Sequence, residues 1–148
     1  MVLNADPDNL LQKGIQLLQQ KNHLAALGYF ERAYSLRKTP LAASYFALCI
    51  ATERGKISDA IVFCCEAIEQ DPHDPRHYLN LAKIYLKAKR KAECLETLRK
   101  GLAQGEEPEI RSLLETVGVR KSPIFSFLPR RHFLNRYLGY ILSRLRFR

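Results

Sequence analysis

The chain has 148 residues, 47% hydrophobic and 26% charged, with a net charge of +9, which suits one domain or one domain with an appendage. No apolar run approaches the ~18–20 residues a membrane-crossing helix needs. The start, MVLNADPDNLLQKG, lacks the basic and apolar segments of a secretory signal, so a cytoplasmic protein is expected.

Taken in order, the chain predicts helices over 7–20, 23–37, 40–53, 57–70, 75–88 and 91–104, then a seventh over 108–117. Pro7, Pro40, Pro75 and Pro108 each suit a first helical turn, and Asp6, Thr39 and Asp74 stand before the first three as caps. Gly55, Gly105 and Gly118 fall where helices should end.

These helices repeat in pairs. Ala26, Ala60 and Cys94 are spaced by 34 and again by 34, as are Phe30, Cys64 and Leu98, and Ala33, Ala67 and Gly101. Counted from the prolines, Gly14, Ala47 and Ala82 share one column, and Leu17, Ile50 and Tyr85 another. A fixed period of this length is the mark of a stacked array. Small columns let helix backbones approach closely, while large columns fill the space between pairs.

The columns resemble the tetratricopeptide repeat, whose unit is two antiparallel helices. Repeats are assigned to 7–39, 40–74 and 75–107, with 108–117 as a capping helix, giving a repeat domain over 1–118. The second repeat has one residue more than the pattern, placed here in the turn between its helices. The resemblance implies an all-α solenoid of helix pairs, and a scaffold whose function lies in the surface it carries.

In this family the concave wall comes from the first helix of each pair, at positions 2, 5, 9, 12 and 13. Carried onto this chain, those positions are Asp8, Leu11, Ile15, Leu18 and Gln19, then Leu41, Ser44, Leu48, Ala51 and Thr52, then Arg76, Leu79, Lys83, Leu86 and Lys87. A strict 34-residue count turns Ala42, Tyr45 and Cys49 inward instead. The expected groove is therefore Leu11, Ile15, Leu18, Leu41, Tyr45, Leu48, Arg76, Leu79, Lys83 and Leu86, a largely apolar wall. Such a patch suits an amphipathic helix or an extended apolar peptide; the competing reading turns some of these leucines into the core. Family members that clamp chaperone tails carry lysine and asparagine where Leu11 and Ile15 stand, so that clamp is not expected.

No nucleophile–base pair, phosphate-binding glycine loop or framed acid pair is evident, and no enzyme activity, cofactor or metal is expected. Cys49, Cys64, Cys65 and Cys94 fall inside helices and read as small core residues. Zinc held by Cys64 or Cys65 with His73 and His77 fails on geometry, because Cys64 points into the helix pair while the histidines flank the turn after the second repeat and read as solvated. Lys83, Lys87, Lys89, Arg90 and Lys91 form a basic run, either a site for an acidic partner or an ordinary solvated face.

Beyond Gly118 the composition changes. Residues 120–148 carry Arg120, Lys121, Arg130, Arg131, Arg136, Arg144, Arg146 and Arg148 and no acid. Residues 120–132 read as a linker, and 133–147 as an amphipathic helix with Leu134, Leu138, Ile141 and Leu145 on one stripe beside Tyr137. Such a helix is marginal alone, and three surfaces compete for it: protein (its own groove, a second copy or a partner), an anionic membrane, and, least suited to so apolar a tail, nucleic acid. The sequence therefore predicts a non-enzymatic protein-interaction module or assembly adaptor, its groove covered by its own tail. The alternative is a membrane-peripheral adaptor anchored by that tail.

Overall fold

The structure, a computed structural model, describes residues 6–118. They form seven helices: α1 (Pro7–Gln19), α2 (His23–Leu36), α3 (Pro40–Glu53), α4 (Ile57–Gln70), α5 (Pro75–Lys87), α6 (Lys91–Gln104) and α7 (Pro108–Gly118). No helix among them is long and apolar enough to cross a membrane. The 120–132 linker and 133–147 helix expected from sequence lie outside the described residues.

The helix starts follow from local chemistry. Asp6 accepts from the Asp8 amide, Thr39 from Ala42 and Asp74 from Arg76, each before a proline whose missing N–H costs nothing there. Within each repeat, the turn between helices is built on one left-handed residue. Lys21 and Lys89 have φ 60° and Gly55 has φ 67°. Around Lys21, the Lys21 amide donates to the Leu18 carbonyl and the Asn22 amide to Leu17, both at 2.9 Å, which satisfies the free carbonyls of the ending helix. Lys89 and Arg90 repeat this pattern onto Leu86 and Tyr85.

One expectation is corrected here. The additional residue of the second repeat lies in α3, which has 14 residues against 13 in α1 and α5, while all three turns span three residues. The added residue falls at the exposed C-terminal end of α3, at Glu53, beyond the packed positions Ala42 to Ala51, so it rotates none of them out of the core.

Helices pair within each repeat and stack on the next: α2 on α3, α4 on α5 and α6 on α7, with α3 also against α5. Small residues stand at the closest approaches, with Ala26, Ala47, Ala60, Ala82 and Cys94 all at 0% exposure. Phe30 stacks on Tyr45 at 5.2 Å, and Tyr34, Phe46 and Phe63 pack ring to ring at 5.8–6.0 Å, joining the first repeat to the second. Ile110 and Val117 of α7 close the end of the array over Leu98 and Cys94.

Candidate functional site

A concave groove of about 330 Å³ runs across α1, α3 and α5 to the start of α7. From α1 come Gln12, Ile15, Leu18 and Gln19, spaced as one helical face; from α3, Tyr45; from α5, Arg76, Leu79, Asn80 and Lys83, another single face; and from just before α7 and its first turn, Glu107 and Glu109. Its surface mixes apolar side chains with amides and charges of both signs.

Most polar groups along the wall are tied in place. Arg76 donates through Nε and a terminal nitrogen to the Asp74 carboxylate at 2.6–3.0 Å, while Lys83 meets Glu109 at 2.6 Å. Burial pushes the Asp74 carboxyl up, but its bonds from Arg76 outweigh that and hold it below the usual carboxylate range. Tyr45 is fixed by its stack on Phe30, and burial pushes its phenol up to about 12, which keeps it a hydroxyl donor.

Beneath the wall lies a buried polar knot. Ser44 and His77 are at 0% exposure and Asn80 at 1%. Asn80 Nδ2 donates to Ser44 Oγ at 3.2 Å, and His77 Nδ1 lies 3.0 Å from the same oxygen. Asn80 Oδ1 has no hydrogen-bond partner among the described residues.

Ile15, Leu18, Tyr45, Arg76, Leu79 and Lys83, with Gln19 from the position count, are the sequence-expected residues that line the groove. The others are placed elsewhere. Leu11 and Leu48, at 7% and 4% exposure, belong to the core, and Leu41 packs against it. Leu86 is exposed but lies off this groove. The wall is therefore not the largely apolar patch expected, because α1 turns Leu10, Leu11 and Gly14 inward and α3, buried nearly all round, offers only Tyr45. Two further expectations are corrected. Ser44, placed on the wall by counting, is buried, and so is His77, expected to be solvated beside the turn. Gln12, Asn80, Glu107 and Glu109 were not among the expected residues. Leu134, Tyr137, Leu138, Ile141 and Leu145, with the tail arginines, lie outside the described residues.

Residues 51–116 match the family model of the tetratricopeptide repeat. Over that stretch the chain resembles the tetratricopeptide repeat. Solved structures agree on the fold. The Sgt2 TPR domain from Aspergillus fumigatus superimposes with a TM-score of 0.60 at 20% identity, covering 76% of each chain. YrrB, a TPR protein described as having an unusual peptide-binding site, gives 0.58 at 23% identity over 75% of this chain and 57% of its own. The first TPR of Spaghetti (RPAP3), bound to the HSP90 peptide SRMEEVD, gives 0.60 at 14% identity over 76% and 93%. No curated protein matches the chain. Tetratricopeptide repeats are typically a non-enzymatic interaction fold, and protein interaction is the class of function these likenesses support.

Proposed function

We propose that this protein is a non-catalytic, cytoplasmic interaction module or adaptor that takes a peptide segment of a partner protein along the α1–α3–α5 wall. The observation that carries this reading is the concave wall itself, which presents Ile15, Leu18 and Tyr45 beside Arg76 and Lys83. The apolar residues and the Tyr45 ring would cover side chains of the peptide. Arg76 and Lys83, each already paired with a carboxylate, would steer orientation more than supply affinity. Peptide-bound and peptide-binding neighbours of the same fold lend support.

The test is selection from a displayed library of random linear peptides on the full chain, followed by calorimetric affinities for variants. Tyr45→Ala and Leu18→Ala should weaken the selected peptides at least ~10-fold, about 1.4 kcal/mol. Leu24→Ala, at a side chain 70% exposed and outside the groove, should leave them unchanged. Equal binding by all three variants contradicts the proposal.

A second reading concerns the tail, where eight basic residues and no acid occur over 120–148. We propose that its apolar stripe competes for the groove as a lid; Leu138→Ala with Ile141→Ala in the full chain should then raise peptide affinity. The alternative, anchorage to an anionic membrane, predicts cosedimentation with phosphatidylserine vesicles but not with phosphatidylcholine vesicles. Unchanged affinity and no vesicle binding would remove both roles.

A further inference from the structure

We propose that Asp71, Asp74 and His77 form a binding site for a divalent transition ion of the zinc class, at the turn joining α4 to α5. One ligand atom from each lies within 4.8 Å of the other two. His77 Nε2 stands 3.8 Å from Asp71 Oδ2, beyond hydrogen-bond reach, and is buried without any partner among the described residues. The ring itself is fully buried, so this nitrogen has been taken from water with nothing given in exchange.

The other ring nitrogen explains its state. Ser44 Oγ lies 3.2 Å from the Leu41 carbonyl; when its one proton is directed there, Oγ accepts from His77 Nδ1 and Asn80 Nδ2. In the tautomer with its proton on Nδ1, the imidazole turns a bare lone pair at two carboxylates, and a bound cation makes that arrangement favourable, as a proton on Nε2 would. A histidine anchored through Nδ1 and ligating through Nε2 is the usual form of a metal-bound imidazole.

The donor set selects the ion. One nitrogen with two carboxylates suits zinc and its neighbours, whereas magnesium and calcium prefer all-oxygen shells. Zinc ligands at about 2.0–2.2 Å sit roughly 3.2–3.6 Å apart in a tetrahedron. Asp71 and His77 at 3.8 Å are already near that spacing, and the three ligand atoms, within 4.8 Å of one another, would close by up to about 1 Å, with the half-exposed Asp71 free to move in. Water would complete the shell. Arg76 holds the Asp74 carboxylate in orientation and offsets part of its charge; two carboxylates against one guanidinium still leave the pocket negative. The bound ion would staple the end of α4 to the first turn of α5, locking the second repeat onto the third. This site replaces the cysteine-based zinc set rejected from sequence, with which it shares only His77.

The test is thermal melting of the metal-free full chain with zinc chloride or magnesium chloride, beside Asp71→Asn and His77→Gln, and a cobalt(II) absorption spectrum. Zinc should raise the wild-type midpoint by several degrees, magnesium should not, and both variants should lose the zinc effect. Cobalt should show no thiolate charge-transfer absorption. If His77→Gln fails to fold, Asp71→Asn at a half-exposed side chain still decides. No zinc response in the wild type, a response retained by Asp71→Asn, or a thiolate signature would each overturn the site.

Discussion

Gly14 of α1 faces the ring of Phe30 in α2 so closely that a Cβ on Gly14 would lie 2.5 Å from Phe30 Cε1. Phe30 is at 0% exposure and stacked on Tyr45, so its ring has nowhere to move. The first helix pair, and through Tyr45 the groove wall, is set by this absence of a side chain.

Two alanine substitutions should therefore act with opposite sign. Gly14→Ala overpacks the pair at a cost of roughly 1–3 kcal/mol, offset by about 1 kcal/mol of helix propensity, for a net loss of up to about 2 kcal/mol. Gly28→Ala, in mid-α2 with nothing within 4 Å of its Cβ, should gain about 1 kcal/mol. Urea unfolding of both variants reads the difference.

Lys21 and Lys89 hold left-handed backbone that glycine adopts freely, as Gly55 does at the matching turn. Lys89→Gly should stabilise by up to about 1 kcal/mol, since relief of roughly 1–2 kcal/mol of backbone strain is partly offset by the entropy glycine loses on folding. Gly55→Lys should cost a similar amount. Thermal or urea midpoints of the two variants should move in opposite directions.

Ser44→Ala removes the one oxygen that serves both His77 Nδ1 and Asn80 Nδ2. Two buried groups then lack partners, at about 1–3 kcal/mol each, a larger loss than an alanine-sized change in this core would otherwise bring. A cost of only a few tenths of a kcal/mol in urea unfolding would mean that the knot contributes little.

Helix positions were legible because prolines, caps and small columns recur at a fixed step, and every observed boundary falls within one residue of its expected place. The additional residue of the second repeat was misplaced because Gly55 marks a turn strongly, while a helix lengthened by one residue leaves no local signature. The groove was legible in part. Position counting distinguishes helix faces but not how deeply a face sinks, so Leu11 and Leu48 read as wall although they pack into the core. The Ser44–His77–Asn80 knot was illegible because its members lie 33 and 36 residues apart and meet only when α3 docks on α5. The tail residues expected to cover the groove lie outside the described residues, and their role rests on the tests proposed above.

The central claim is that the α1–α3–α5 wall is the binding face. It is tested most directly by amide chemical-shift mapping of the isotope-labelled full chain saturated with a library-selected peptide. The account predicts that the largest shifts fall at Ile15, Leu18, Tyr45, Leu79 and Lys83, together with a shift of the Asn80 side-chain amide. Shifts concentrated instead around the exposed Leu24, Leu36 and Val62 of α2 and α4, with the wall unperturbed, would contradict it.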